Sequence, residues 1–569
     1  MRCRHGENDT VVNPRTRTFV DSGDLSLGIE LHRLGRHADA AKVYRQILQR
    51  KPDNAEILYL LGIIELADNK FRQAADLIAR SIKRNAGFSP AHANLGLALM
   101  GLGQHKEALA SFDRAIALGF TESHFNKAIL LTNMHRLAEA LESCDAAISC
   151  QPAFAEAHNQ RGHILNESGR FEEALPSLDH AISLQPNLAE AHHNRGTTLL
   201  RLDRLEEALS SFDRALALRP DLAGTWCNRG DTLTDLRQPE AALASFDRAI
   251  ALRADFAEAY FGRALTRLLI GRYEAGFRDY EWRTRRSGQA SSRSLPRPLW
   301  LGDRDIKGKT LFIQPELFLG DMIQFCRYAP LAARLGARIV LAVQEPLKSL
   351  LTSLGPDITL LSEAAVPNRY DLYCPLLSLP RAFNTTFRTI PGEQSYLHAD
   401  PELVAVWRQR IGTHGFRIGI CWQGSASSVM MGRSFEAARF AEIARMPGVR
   451  LISLQVGAGS EQLDALPETM VVEDLSGQTT QSPRPFEATA AIMENLDLII
   501  SPDTAIAHLA GAIGRPAWVA LKHVPDWRWG LDGASTAWYP TWRLFRQTSR
   551  NDWTPVFQAM QQALAALVS

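Results

Sequence analysis

Small and apolar residues recur with a fixed period between residues 22 and 289. A glycine or alanine returns in steps of 34 residues, with one step of 32, at Gly28, Gly62, Gly96, Ala128, Gly162, Gly196, Gly230 and Ala264. A second stretch of each unit also repeats, in variants of Glu-Ala-Leu-Ala-Ser-Phe-Asp at residues 107–113, 173–179, 207–213 and 241–247. The apolar positions follow helical spacing, so the pattern predicts about eight pairs of helices.

Stacking supplies the hydrophobic core of such an array, because no single helix pair buries enough apolar surface alone. The small residues allow the two helices of a pair to approach closely. These residues resemble the pattern of tetratricopeptide repeat proteins. The resemblance implies an α-solenoid over residues 22–289 that binds a protein or peptide partner. Residues 1–21 are expected to be a disordered N-terminus.

Polar residues recur near one position of the first helices. Asn and Arg side chains there include Asn159, Asn194 and Asn228, together with Arg161, Arg195 and Arg229. The first helices are expected to line a concave groove, where asparagines of similar solenoids hold a peptide backbone. The alternative is a solvated polar face with local capping roles, since a fold alone does not prove a ligand.

The final repeat is rich in aromatic residues. Residues 273–282 place tyrosine, phenylalanine and tryptophan at helical spacing, which is expected where a solenoid docks onto another structure. A basic polar run follows, and residues 290–306 are predicted to be a linker.

After residue 307 the pattern changes to alternating strands and helices. Two Rossmann-like lobes are predicted, at residues 307–412 and 413–569, with ligands bound beyond the carboxyl ends of the strands. The predicted strands are residues 310–314, 337–343, 358–361, 371–374, 416–422, 450–455, 496–500 and 516–521.

Two loops carry candidate chemistry. In the first, Gly320 is expected to allow a tight turn, and Asp321 is either a general base facing the cleft or a simple N-cap. In the second, the helix that follows Ser501 has an N-terminus suited to a phosphate. Asp503 and Thr504 are expected to cap that helix. His508, one turn further on, has an ordinary structural role as its alternative.

Together these segments resemble the heptosyltransferase-like (family 9) glycosyltransferases, and more specifically bacterial chains that fuse tetratricopeptide repeats to that domain. The resemblance covers about residue 298 to the C-terminus. The motifs that carry it are Gly320-Asp321-Met-Ile-Gln324-Phe, Cys374-Pro-Leu-Leu-Ser-Leu-Pro380, Trp422-Gln-Gly424, Arg433-Ser434, Ser453-Leu-Gln455, Asp503-Thr-Ala-Ile-Ala-His-Leu-Ala-Gly511-Ala, Pro525-Asp-Trp-Arg-Trp529, Trp538-Tyr-Pro540 and Leu544-Phe-Arg546.

The resemblance implies a GT-B fold, a nucleotide-sugar donor and an inverting displacement that needs neither metal nor cofactor. Asp321 takes the place of the base that deprotonates the acceptor hydroxyl. Arg433 falls where a cation offsets the charge of the leaving group. The residues that this resemblance puts at the donor are Gly320, Arg433, Ser501, Asp503, Thr504 and His508.

The chain also departs from that family pattern. Leu317 and Phe318 replace the usual Gln and Gly, Val456 replaces a Lys, and residues 425–431 replace a longer polar stretch. Lys522, His523 or Arg528 are candidates to compensate. The alternative to an enzyme is therefore a degenerate transferase domain on a protein-binding scaffold.

Composition narrows the class of partner. The 569 residues carry a net charge of +1, which does not favour nucleic acid or an anionic membrane. Neither a signal peptide nor a membrane span is predicted. Seven scattered cysteines without a CxxC pair argue against structural zinc and favour a cytoplasmic protein.

Overall fold

The computed structural model describes residues 22–286, 295–316, 318–392, 395–424, 432–475, 477 and 482–568. The predicted disordered N-terminus, residues 1–21, lies outside these ranges, as do residues 425–431. The chain divides into two compact units, one ending at Pro220 and one beginning at Asp221.

The first unit consists of helix pairs, and the second unit begins with two more pairs of the same kind. These helices confirm the predicted repeats. In the first unit they are α1 Ser22–Arg33, α2 His37–Arg50, α3 Ala55–Ala67, α4 Phe71–Arg84, α5 Ser89–Gly101, α6 His105–Ala117, α7 Ser123–Asn133, α8 Leu137–Cys150, α9 Ala155–Glu167, α10 Phe171–Leu184, α11 Ala189–Arg201 and α12 Leu205–Leu218. In the second unit they are α13 Ala223–Asp235, α14 Pro239–Leu252, α15 Ala257–Leu269 and α16 Tyr273–Tyr280.

The repeated glycine marks a contact between the two helices of each pair. A Cβ at Gly196 would lie 2.6 Å from the ring of Phe212, sixteen residues later. At Gly162 it would lie 2.4 Å from Leu178. In the repeat with Ala128, the residue sixteen positions later is the small Cys144, and both are fully buried in one cluster. The small residue is therefore required wherever its partner is large.

The turn inside each pair uses one left-handed residue. Its φ lies between 56° and 79° at Gly35, Asn69, Gly103, His135, Gly169, Asp203, Arg237 and Gly271. Glycine adopts this conformation without steric cost, and Asn or Asp adopts it more readily than other side chains. The turn therefore follows the same 34-residue period as the helices.

The remainder of the second unit contains two parallel sheets. The first has the order β3-β2-β1-β4 and the second the order β10-β9-β8-β5-β6-β7. The strands are β1 Thr310–Gln314, β2 Arg338–Val343, β3 Ile358–Ser362, β4 Leu372–Pro375, β5 Phe416–Ile420, β6 Val449–Ser453, β7 Val472–Asp474, β8 Leu498–Pro502, β9 Ala517–Leu521 and β10 Trp542–Arg546. The α-helices around them are Leu319–Phe325, Tyr328–Arg334, Lys348–Leu351, Leu379–Ala382, Pro401–Ile411, Ala441–Ala444, Pro485–Met493, Ala505–Ala512 and Thr554–Val568.

Eight strands agree with the sequence prediction to within two residues at each end. The prediction missed β7, β10 and the helices Pro401–Ile411 and Pro485–Met493. Strand β7 has only three residues, too few to show an alternating pattern. Part of the predicted linker was also misassigned. Trp300 is buried, and its backbone N–H donates to the Tyr373 carbonyl in β4 at 2.8 Å.

One hydrophobic cluster joins the last repeat to both sheets. It includes Leu268, Tyr273 and Phe277 of the repeat together with Ile313 of the first sheet and Val519 of the second. The prediction that the aromatic final repeat docks onto another structure is confirmed. The last repeats therefore share their core with the α/β part of the chain.

Replacing Gly196 with alanine is expected to destabilise the first unit. The new methyl group would overlap the Phe212 ring, and overpacking of this kind costs about 1–3 kcal/mol. Urea unfolding measures the change. Gly224→Ala is the matched control, because Gly224 lies in α13 and a Cβ there would meet no atom within 4 Å. That variant should be neutral or more stable by up to about 1 kcal/mol. Equal effects of the two substitutions would contradict the packing argument.

Candidate functional site

A cavity of about 1010 Å³ opens where the strands of the two sheets end. Its lining comes from the segments after β1, β5, β6, β8 and β9, which lie at the carboxyl ends of parallel strands, and from the helix Pro485–Met493. This is the edge where ligands of open α/β sheets bind. The lining residues used below are Phe318, Gly320, Asp321, Arg433, Val456, Asp503, Thr504, Ala505, Ile506, His508, Asp526 and Arg528.

Asp321 lies in the first turn of the helix Leu319–Phe325. The N-cap of this helix is Phe318, and its side chain makes no capping bond. The alternative role of Asp321 as an N-cap is therefore wrong. Its carboxylate instead accepts a hydrogen bond from the Arg528 guanidinium. Burial raises the pKa of Asp321 to about 6, while the nearby Arg528 charge opposes this rise.

Arg528 is held by three side chains. Its Nη1 donates to Asp526 Oδ1 at 2.9 Å, its Nε donates to Gln324 Oε1 at 2.5 Å, and its Nη2 donates to Asp321 Oδ1. The guanidinium thus has a fixed orientation beside the carboxylate. The sequence suggested Arg528 only as one of three compensating cations, and of those three it is the one that lines the cavity.

Gly320 acts through close packing rather than through a tight turn. It lies inside the helix Leu319–Phe325, and a Cβ there would lie 3.1 Å from His508 Cδ2 and 3.6 Å from Ala505 Cα. A larger residue would push this helix away from Ala505–Ala512. The expectation of a tight turn is therefore wrong, although the need for glycine is explained.

The Asp503 carboxylate lies between the side chains of Arg433 and His508. Arg433 Nη1 donates to Asp503 Oδ2 at 3.1 Å, and His508 Nε2 lies 3.7 Å from Asp503 Oδ1. His508 Nδ1 is 3.0 Å from the Tyr539 hydroxyl. Burial holds the pKa of His508 well below its usual value, and the charge of Arg528 adds to this effect. The imidazole is therefore neutral near pH 7.

The predicted caps of the helix Ala505–Ala512 are not formed. Thr504 holds the N-cap position, yet its side chain makes no bond to the first turn. Its hydroxyl is 2.8 Å from Ser501 Oγ, which itself donates to the Pro502 carbonyl. Ser501 is buried and does not line the cavity. Ser501, which was predicted to bind the sugar donor, thus forms hydrogen bonds within its own loop and does not face the cavity.

Two of the three apolar replacements face the cavity, and the third, Leu317, lies outside the described residues. Phe318 and Val456 both line the cavity, and Val456 is 44% exposed. Of the other compensating candidates, Lys522 and His523 lie outside the lining. Val456 therefore places an aliphatic side chain at the cavity wall.

The polar positions of the repeats divide into two kinds. Asn194 Nδ2 donates to Asn159 Oδ1 at 2.9 Å, which links two neighbouring repeats of the first unit. Asn159 is one residue out of register, because Gln160 lies 34 residues before Asn194. The arginines act as struts within the solenoid, since Arg195 binds Asp179 at 2.6 Å and Ser211 at 2.8 Å. Arg195 therefore links helices within the solenoid.

The described part of the chain offers no sign of a metal centre or of a membrane span. Within it, no group of three or more His, Cys, Asp or Glu residues is arranged to hold a metal ion. Among the helices given above, none has the length and apolar character needed to cross a membrane.

Comparisons with known proteins match the repeats. Tetratricopeptide repeat models match residues 154–221, 31–98, 93–158 and 227–288, so these segments are tetratricopeptide repeats. Protein FlbA of Caulobacter vibrioides is 26% identical over 327 residues, which cover 53% of this chain and 54% of the relative. The chain thus matches about half of the length of that curated relative.

Three solved structures are similar to parts of this chain. YrrB, a TPR protein with an unusual peptide-binding site, is 24% identical with a TM-score of 0.28, over 32% of this chain and 96% of its own. Cut9–Hcn1 of the APC/C is 16% identical with a TM-score of 0.39, over 44% and 49%. MamA of Desulfovibrio magneticus is 19% identical with a TM-score of 0.27, over 30% and 96%.

The neutral state of His508 predicts a pH effect on stability. A histidine with a depressed pKa stabilises the fold above its unfolded pKa of 6.5, and this contribution is lost as the pH falls below that value. His508→Gln should therefore lose less stability than the wild type between about pH 7.5 and about pH 5.5, by up to about 1.4 kcal/mol per pH unit. Thermal melting at the two pH values measures this. His398→Gln, at an exposed histidine, is the control, and equal slopes for all three proteins would refute the assignment.

Proposed function

We propose that this chain is a glycosyltransferase that moves a sugar from a nucleotide-sugar donor to an acceptor recruited by its repeats. In this proposal the two parallel sheets are the lobes of a GT-B fold, and the donor occupies the cavity between their carboxyl ends. The observation that carries the proposal is the convergence of Asp321, Arg433, Asp503 and Arg528 on one cavity.

Asp321 would act as the general base. A base must be ionised to accept a proton, and a pKa of about 6 leaves the carboxylate mostly ionised at neutral pH but more basic than an ordinary aspartate. It takes the proton of the acceptor hydroxyl while the hydroxyl oxygen bonds to the anomeric carbon. The bond from that carbon to the phosphate oxygen breaks, and the departing nucleotide keeps the electron pair. The configuration at the anomeric carbon inverts.

Arg433 and the first turn of the helix Ala505–Ala512 would stabilise the departing nucleotide. Arg433, which follows β5 of the second sheet, is only 16% exposed, so its charge is weakly screened. Ala505 and Ile506 line the cavity at the start of an eight-residue helix, whose first N–H groups have no partner within the helix. Together they provide donors where negative charge develops on the phosphate.

The alternative proposal is a binding scaffold with a degenerate transferase domain. Phe318 and Val456 favour it, because both put apolar surface at the cavity wall where the family pattern has a glycine and a lysine. Arg528 argues for the enzyme, because it supplies a buried cation beside Asp321. We therefore propose the enzyme first, acting in the cytoplasm.

The repeats would recruit a protein acceptor. Repeats of this type are protein-binding scaffolds, and the first helices carry polar side chains along one face. Asn94 donates to the Tyr59 hydroxyl at 2.8 Å in the same way that Asn194 donates to Asn159. These bonds orient the amides before a ligand arrives, which lowers the entropy cost of binding a peptide backbone.

Screening ADP-, GDP- and UDP-sugars for binding and turnover tests the enzymatic proposal. Asp321→Asn should lower kcat by about 100-fold or more while the donor Kd stays within about threefold, because the base is lost and the shape is kept. The wild-type kcat/KM should fall as the pH drops through about 6, since protonated Asp321 cannot accept a proton.

Asp357→Asn is the matched control for that screen. Asp357 is an exposed carboxylate before β3, and its replacement should leave both kcat and the pH profile unchanged. Donor binding without turnover, in both the wild type and Asp321→Asn, would instead support the scaffold.

The recruiting role predicts that the asparagines contribute to partner binding. The double variant Asn159→Ala with Asn194→Ala should weaken binding of the acceptor protein by about tenfold, since two amides proposed to bind the peptide backbone are removed. Isothermal titration with the purified acceptor measures this. Asn85→Ala, at an exposed asparagine that follows α4, is the control. An unchanged Kd for the double variant would remove these residues from the binding surface.

A further inference from the structure

The final repeat ends in a short 3₁₀ helix, Glu281–Arg285, that carries a buried arginine. Arg283 is only 5% exposed and binds two carboxylates. Its Nε and Nη2 donate to Glu316 at 2.9 and 3.0 Å, and its Nη1 donates to Glu281 at 3.3 Å. Its Nη2 also donates to Ser378 Oγ at 2.9 Å. A buried charge with this many partners occupies one defined position.

Glu316 connects that arginine to the segment that delivers Asp321. It lies two residues after β1 and five residues before Asp321. Its Oε2 also accepts from the Leu377 N–H at 2.8 Å, and its carbonyl accepts from Gln344 Nε2 at 2.9 Å. The exit of β1 is therefore tied to the ends of β2 and β4 and, through Arg283, to the repeats.

The segment that carries Arg528, the partner of Asp321, packs against the end of the solenoid. Arg528 lies in the 3₁₀ helix Trp527–Trp529. The Trp527 ring packs edge-on against Phe277 with centroids 5.6 Å apart and lies 6.4 Å from the Tyr280 ring. Arg237, in the turn before α14, donates to Asp532 at 2.6 Å. Both segments that form the Asp321–Arg528 pair are thus held by the end of the solenoid.

We propose that Arg283 is a positioning residue for the reaction: it fixes Glu316, and through it the placement of Asp321 against Arg528. This inference rests on the proposed glycosyltransferase function. It makes the last repeat part of the catalytic apparatus, because the repeat that ends the acceptor-binding array also sets the geometry of the base.

The electrostatics around Asp321 give this role a signature. The charged or titratable groups that face Asp321 are Arg528, Asp526, Glu316, Asp503 and Tyr280. The negative charge of Glu316 raises the pKa of Asp321, and Arg283 offsets that charge. Removing Arg283 should therefore raise the pKa of Asp321, whereas neutralising Glu316 should lower it.

The experiment compares Arg283→Met, Arg283→Lys and Glu316→Gln in the full chain. Arg283→Met should lower kcat by about tenfold or more with the donor Kd within about threefold, and should move the acidic limb of kcat/KM to higher pH. Arg283→Lys should keep the acidic limb of kcat/KM close to its wild-type pH, because lysine keeps the positive charge. Glu316→Gln should move the limb to lower pH. Arg278→Met is the matched control, since Arg278 is 66% exposed one turn earlier.

The proposal would be overturned by a folded Arg283→Met variant whose kcat and whose acidic limb of kcat/KM match those of the wild type. If Arg283→Met does not fold, Arg283→Lys and Glu316→Gln test the proposal instead. An acidic limb of kcat/KM at the wild-type pH in both variants would overturn it. If the wild type itself turns over no donor, the proposed function fails, and amide hydrogen exchange of residues 319–325 becomes the readout. Faster exchange in Arg283→Lys or Arg283→Met than in Arg278→Met supports the positioning role, and equal exchange refutes it.

Discussion

The ion pair between Asp321 and Arg528 is the interaction on which the cavity depends. Removing two charged groups from water costs several kcal/mol per ion, and only good geometry with further hydrogen bonds offsets that cost. Arg528 meets this condition because Asp526 and Gln324 also accept from its guanidinium. The two partners are 207 residues apart in the chain. The fold of the second unit therefore has to bring Asp321 and Arg528 together.

The parallel sheets provide most of that means. Parallel strands place their carboxyl ends at one edge, so the segments after β1 and β9 reach the same cavity from different sheets. The helices Leu319–Phe325 and Ala505–Ala512 then approach closely at Gly320, which packs against His508. Burial follows from this crowding, and burial gives both Asp321 and His508 their shifted pKa values.

Sequence patterns predict what depends on local period and fail where distant segments meet. The 34-residue step and the strands with continuous apolar runs were readable because each is a local signal. Strand β7 was too short to read, and Trp300 was hidden in a polar stretch. The candidate site residues came from motifs, yet the pairing of Arg528 with Asp321 has no local signal, because it depends on two loops from different sheets. The side-chain cap predicted for Thr504 failed for a different, local reason: its hydroxyl contacts Ser501, three residues earlier, instead of the first turn of the helix.

The boundary between the two compact units lies inside the repeat array, at Pro220, and not where the repeats end. This has an evolutionary consequence. Whole repeats before that point can be duplicated or lost by recombination without disturbing the contacts of Arg283 or Trp527, because those contacts belong to the second unit. A crossover at the apparent junction near residue 290 would separate Arg283 from Glu316 and break their buried ion pair. Selection on such chains should therefore allow the number of early repeats to vary, and inherit the last two with the α/β part as one piece.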